Sequence, residues 1–346
     1  MGEFVETKMT HSSKPHASLL ALVLAFASIY VLWGSTYLFI KWGIDTIPPM
    51  ILAGLRHLAA GAVLYAWIRL RGGEKPTARH WGSAALLGGL MLFGGNGGVT
   101  WAQQTVPSGV AALVVAAVPM WMTLLDWLRP GGHRPGARVV AGLVLGFGGI
   151  ALLIGPGSLG AGVRIDLWGA LILLAASLSW ATGSLLSRTA VLPKTLVLGI
   201  AMQSMAGGAL LLLAALPLGN WARFDVAAIS MRSAFSLLYL TVFGSIIGFT
   251  CYIWLLKVTT PARVSTYAYV NPVVALFLGW MAAGEPVSQR SLTAAAIIVA
   301  AVVMVVSYKD KLAPAADSRS EEASPLAKTE TADLGCATRA QQDPAA

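Results

Sequence analysis

The sequence predicts an all-α polytopic membrane protein of ten transmembrane helices, arranged as a 5+5 inverted repeat. Three observations predict it. Hydrophobic residues make up 56% of the 346 positions and charged ones only 11%, which leaves too little polar side chain to cover a water-facing surface. A window of about 19 residues, the length that crosses a hydrocarbon core of about 30 Å, finds ten apolar runs with short polar gaps between them. The pattern of the first five runs also recurs, weakly but in order, in the second five.

The first run, 17–40, is longer than the apolar part of a signal peptide, carries Trp33 and Tyr37 and shows no small-residue cleavage site, so it reads as a retained helix. The second, 49–68, holds Arg56, the one cation near the middle of a span. The third, 81–102, is rich in glycine, at 88, 89, 94, 95, 97 and 98, which lets it lie close to a neighbour. Residues 103–107 have room only for a turn, so the fourth run, 108–128, must return antiparallel beside the third. The fifth, 138–155, presents Gly142 and Gly146 as a small-xxx-small face. The remaining runs are 167–187, 195–218, 233–256, 264–283 and 291–308. These boundaries divide the chain into an N-terminal tail (1–16), a first five-helix repeat (17–155), a second (167–308) and a C-terminal tail (309–346). That last tail is rich in Ala, Pro, Ser and charge and is expected to be disordered.

Of the 24 Lys and Arg residues, which against 15 Asp and Glu give a net charge of +9, all but Arg56 lie in these gaps, at their edges or in the tails rather than in a stripe interleaved with aromatics, so they do not point to nucleic acid. They favour the two tails and the even-to-odd connections, which places both termini on the cytoplasmic side of a multi-pass protein of the cell (inner) membrane. Cys251 and Cys336 lie in an apolar run and a polar tail, and supply neither a disulfide framework nor a metal ligand set.

Sliding the chain along itself brings Pro119 onto Pro272 and, at the same offset, Ala141-Gly-Leu-Val-Leu onto Ala294-Ala-Ile-Ile-Val. Nearby offsets align Gly98-Val-Thr100 with Gly248-Phe-Thr250 and Trp33-Gly-Ser with Trp180-Ala-Thr. Five crossings is an odd number, so the second repeat must enter the membrane from the side opposite the first. Two inverted bundles rocking about a midplane site are the architecture of many secondary transporters.

Polar side chains deep in a span either join helices or line a wet cavity. Asn96, Thr100, Gln103 and Gln104 share one face of the third span if it is a regular helix, and read as a pathway wall or as interhelical glue. Trp33 and Tyr37, Trp180, and Tyr267 with Asn271 join stacking area to a polar edge, which suits an amphipathic organic solute. Arg56 needs a partner, and a substrate carboxylate, a carbonyl or a polar side chain would each serve. His57 is expected to face another way. The candidate substrate-binding set is therefore Trp33, Tyr37, Arg56, Asn96, Thr100, Trp180, Tyr267 and Asn271. Pro119 and Pro272 each remove a backbone donor and are candidate hinges. Asp126 and Glu285 lie near span ends, where solvation suffices, and no acid deep in a span supports proton coupling.

Gly155-Pro-Gly-Ser-Leu-Gly160 has dinucleotide-fingerprint spacing but no βαβ context, and neither a zinc-protease nor a nucleophile-elbow motif is present. No cofactor, metal or catalytic residue is expected. The runs Trp33-Gly-Ser-Thr-Tyr37, Asn96-Gly-Gly-Val-Thr100, Val106-Pro-Ser-Gly-Val-Ala-Ala-Leu-Val-Val-Ala-Ala-Val-Pro119, Phe243-Gly-Ser-Ile-Ile-Gly248 and Thr266-Tyr-Ala-Tyr-Val-Asn-Pro272 resemble the EamA-domain branch of the drug/metabolite transporter superfamily, closest to YedA-type inner-membrane permeases. The resemblance implies ten helices around a central cavity, with the fifth and tenth peripheral, and export of small metabolites, amino acids or drugs. Gly284-Glu285-Pro286 is similar to the family's Gly-Glu signature, whereas the corresponding end of the fourth span has no acid. The expected partners are a small-molecule substrate and the lipid bilayer, with a homodimer left open. The alternatives are a membrane-embedded enzyme acting on lipid-linked substrates and a sensor that binds without translocating.

Overall fold

The computed structural model describes residues 18–130, 132, 134–155, 165–259 and 261–322. Ten helices succeed one another: α1 (Leu19–Gly43), α2 (Pro49–Leu70), α3 (78–102), α4 (Ser108–Leu128), α5 (Ala137–Ile154), α6 (Leu167–Leu186), α7 (Leu196–Ala214), α8 (Met231–Leu255), α9 (Tyr267–Ala283) and α10 (Gln289–Glu322). Eight are long and apolar enough to cross a membrane, and α9 is a shorter apolar helix. The remaining helix, α3, is less apolar because Asn96 and its many glycines dilute an otherwise hydrophobic run. Successive helices run in opposite directions, so the start of α1 and residue 307 share one face, called here the terminal face. The start of α4 lies at the opposite face.

Local chemistry sets the starts. The side chains of Ser18, Thr77, Asp166 and Ser230 cap the first turns of α1, α3, α6 and α8, accepting from Ala21 N, His80 N, Gly169 N and Ser233 N. Large apolar side chains stay exposed around the outside, among them Leu20, Val144, Leu213, Phe235 and Leu238. Water would penalise such a surface and a bilayer accepts it. Trp168 and Trp280, near helix ends, are 72% and 58% exposed, as suits a membrane interface.

Helix pairing follows the repeat. α2 packs on α7, α4 on α9 and α5 on α10, while α3–α6, α3–α7 and α4–α6 are matched by α8–α1, α8–α2 and α9–α1. Adding five to each helix number maps this set of pairs onto itself, which a pseudo-two-fold axis between the halves produces. A second mark of the repeat is a nine-residue π segment in both α3 (Gly89–Gly97) and α8 (Leu240–Gly248). α5 and α10 lie at the side of the bundle, joined where an added Cβ on Gly142 would sit 2.9 Å from Val305 Cγ2.

α10 differs from expectation, since it continues to Glu322 rather than ending at 308. Lys, Leu, Ala and Glu after Ser307 are good helix formers, so part of the expected disordered tail propagates the helix. Residues 323–346, like the N-terminal tail 1–16, lie outside the described residues.

Candidate functional site

At mid-depth between the two halves lies a cavity of about 100 Å³. α1, α2, α3, α4, α6, α8 and α9 all contribute to its wall. Trp33, Tyr37, Arg56, Asn96, Trp180, Tyr267 and Asn271 line it, together with His57, Ser245 and Phe249.

The α1 wall begins with a π segment, Ser28–Leu32, whose wider turn leaves carbonyls free on one side. The Asn271 amide nitrogen donates to two of them, Ile29 O at 3.2 Å and Tyr30 O at 3.1 Å. Asn271 therefore lines the cavity and also ties α9 to α1. The Trp33 indole follows, with Nε1 donating to Gly244 O at 3.2 Å. Gly248 makes room for it, since a Cβ there would sit 2.6 Å from Trp33 Nε1. In the other repeat Trp180 of α6 also lies against a glycine of α3, Gly95, where a Cβ would be 3.0 Å from Trp180 Cε3, although the glycine aligned with Gly248 is Gly98. Thus the aligned Trp33-Gly-Ser and Trp180-Ala-Thr runs place two tryptophans at the same cavity, each against a glycine. The rings meet edge to face, with centroids 6.3 Å apart.

Arg56 and His57 are both 4% exposed. Arg56 Nε donates to Ser245 Oγ at 3.0 Å, while Arg56 Nη1, His57 Nε2 and Asn96 Oδ1 have no protein partner. His57 does not face away as expected. α2 wedges between α3 and α8, so side chains about 100° apart on it reach the same hollow.

Thr100 is the one member of the candidate set that does not line the cavity. Its hydroxyl donates to Asn96 O at 2.9 Å. Thr100 is buried and its hydroxyl is turned back onto the helix backbone, so the polar stripe stops facing the hollow after Asn96. Gln103 is fully buried, its backbone carbonyl accepting from Lys41 Nζ at 2.9 Å and its side-chain amide without a protein partner, while the Gln104 side chain turns back to donate to Trp101 O. That end of the stripe is packed.

Pro119 and Pro272 differ. The helix of α4 is interrupted at 116–117, just before Pro119, which then opens its second segment. Pro272 lies inside a continuous α9, although a turn at 265–266 precedes that helix.

The two faces are unequal. Toward the opposite face Ile40, Ile47, Ala102, Val106 and Leu113 are buried. Glu285 locks this side and is not merely solvated: its carboxylate accepts from Ser108 N at 2.7 Å, Ser108 Oγ at 2.8 Å and Gly109 N at 3.3 Å. An anion satisfies the orphan donors at the start of α4 and complements the helix dipole. Gly284 brings it there by ending α9 at a φ of 64°. Glu285→Ala is therefore expected to cost about 1–2 kcal/mol through loss of the cap, read as a lower unfolding temperature in detergent, with Glu285→Gln intermediate. Alongside, Asp166 accepts from Gly169 N and Thr105 Oγ1, and these bonds hold its carboxyl below the usual range.

Toward the terminal face a vestibule of about 390 Å³ opens between Met91, Ser184, Ser187, Arg188, Gln203 and Tyr252. Between it and the cavity, Trp33 contacts Tyr252 and Tyr267 with centroids 5.0 and 5.2 Å away. Ser245, Phe249 and Tyr252 were not singled out from sequence. The available signal was their i, i+4 and i+7 spacing on α8 beside Gly248, the image of the α3 glycine run.

The EamA-like transporter family matches residues 18–155 and 167–307, one copy for each half. The inner membrane transporter YedA of Escherichia coli (strain K12) is 40% identical over 293 residues, 84% of this chain and 92% of YedA. A protein of Salmonella typhimurium named a probable amino-acid metabolite efflux pump is 28% identical over 290 residues, covering 80% of this chain and 92% of that one. The transporter YoaV of Bacillus subtilis is 25% identical, covering 83% of this chain and 97% of its own. One crystal structure of a protein 23% identical in sequence superposes with a TM-score of 0.59 over 83% of this chain and 97% of the other, a likeness of fold. Two tandem family matches, on a chain with this helical architecture, set the enzyme reading aside. The chain belongs to the EamA-like transporter family of the drug/metabolite transporter superfamily, and is a multi-pass inner-membrane transporter.

Proposed function

We propose that this protein is an alternating-access carrier that moves a small organic solute, a metabolite, amino acid or drug-like molecule, through the cavity between its halves, with export as the working direction. The observation that carries the reading is a mid-depth hollow with mixed aromatic and polar lining, walled by helices of both repeats and faced by Trp33 and Trp180. Walls drawn from both repeats allow the halves to exchange roles, so that the same hollow faces each side in turn. In the present conformation the vestibule leads from the terminal face, and the Glu285 cap closes the other.

Trp33, Tyr37, Trp180 and Tyr267 supply stacking surface, and Arg56, Asn96 and Asn271 supply polar contacts. Thr100 acts at one remove, through Asn96. The break before Pro119 and the turn before α9 are where the halves flex; Pro119 prevents the backbone ladder from closing across the first, and Pro272 loosens α9 by leaving the Ala268 carbonyl without its helical donor. The Lys and Arg distribution favours cytoplasmic termini, which makes the vestibule cytoplasmic and agrees with loading from inside. A reporter fused to the C-terminus is expected to be active in the cytoplasm, and an external signal would reverse this orientation.

Reconstituted liposomes test the carrier. Saturable uptake of a tracer solute, accelerated by unlabelled solute trapped on the far side, is expected. Binding without counterflow would favour a sensor instead.

A further inference from the structure

We infer that the transported solute is a monocarboxylate with a flat apolar body, its carboxylate seated on Arg56; this rests on the carrier reading above. Arg56 is 4% exposed at mid-depth, and the one hydrogen bond found for its side chain goes to a neutral hydroxyl, Ser245 Oγ at 3.0 Å. Nη1 has no partner. Among the described residues that line the cavity there is no Asp or Glu, so nothing there balances the guanidinium. A buried cation with free donors is an incomplete pair, and the planar fork of Arg matches a carboxylate in shape as well as charge.

The remaining groups narrow the class. One fixed positive charge balances one negative charge, which favours a monoanion over a phosphate dianion. Asn96 Oδ1, itself unpartnered, is left to accept a hydrogen bond from the solute. Trp33 and Trp180, edge to face at 6.3 Å, provide the apolar wall for the body of the molecule. A volume of about 100 Å³ holds a single small ring or a short branched chain.

The test uses purified full-length protein in nanodiscs, titrated with benzoate and with its neutral isostere benzamide, reading the fluorescence of the cavity tryptophans. Benzoate is expected to bind at least tenfold more tightly than benzamide. Arg56→Gln is expected to remove the preference, and Arg56→Lys to retain part of it, since charge persists without the fork. The wild-type comparison needs no variant to fold. Equal affinity for benzoate and benzamide, or a preference that survives in Arg56→Gln, overturns the inference. Flux in liposomes separates the two claims. Saturable counterflow of a neutral or zwitterionic solute that is unchanged in Arg56→Gln sinks the carboxylate seat and leaves the carrier standing. Arg56-dependent benzoate binding with no flux of any solute leaves the seat and sinks the carrier.

Discussion

Gly208→Val is expected to prevent the central helices from closing and to reduce folded protein severely. A Cβ at Gly208 would lie 2.6 Å from Leu58 N and 3.0 Å from Gly54 O, both backbone atoms of α2. One residue earlier, a Cβ at Gly207 would lie 2.9 Å from Gly88 O of α3. α7 therefore touches two helices backbone to backbone at consecutive glycines, and neither neighbour has a side chain that can turn aside. Overpacking of a dense interior costs about 1–3 kcal/mol and more where backbone must move, and with two extra methyl groups the substitution belongs at the upper end. Gly148→Ala is the control, because a Cβ there meets nothing within 4 Å. It should be neutral or gain up to about 1 kcal/mol of helix propensity. The measurement is the monodisperse fraction after extraction and heating; equal recovery of the two variants would refute the close approach.

Trp180→Ala is expected to lower the maximal transport rate at least tenfold at unchanged membrane abundance, and Asn96→Ala to lower it severalfold. Trp180 forms part of the cavity wall and meets Trp33, while Asn96 offers an oxygen that no protein donor occupies. Asn96→Ala also removes the amide beside His57, so its effect is read together with that of Trp180→Ala. Trp33→Ala would be less clean, since it also deletes the hydrogen bond to Gly244 O and contacts to three rings. Unchanged kinetics in both Trp180→Ala and Asn96→Ala would remove them from the solute site.

The helices were legible in the sequence because the solvent is apolar. Lipid demands long apolar runs with every backbone group satisfied internally, and all ten predicted spans correspond to helices. The boundaries shifted where chemistry other than hydropathy acts, as at α10, which propagates beyond Ser307. The aromatic lining was legible because Trp33, Trp180 and Tyr267 stood in recurring or Pro-linked runs. What was missed depends on geometry that 3.6-residue periodicity does not encode. Thr100 bonds back onto the Asn96 carbonyl instead of facing the hollow, and the wedge position of α2 turns His57 in beside Arg56. Ser245 looked like an ordinary small residue of a glycine motif until α8 placed it on the guanidinium. Glu285 looked like an end-of-helix acid because its partners, Ser108 and Gly109, lie far away in sequence at the start of α4.

The central claim is that one mid-depth hollow is reached from each side in turn. Thiol accessibility at Asn96→Cys, with Cys251 and Cys336 replaced by Ala, measures it in sealed vesicles of either orientation. The account predicts labelling by a membrane-impermeant maleimide from the terminal face in the resting protein. It also predicts labelling from the opposite face that rises severalfold when solute is cycling, while labelling from the terminal face falls. A thiol inert from both sides would mean dry packing where the hollow should be, and one equally reactive from both at all times would mean an open pore; either result contradicts the account.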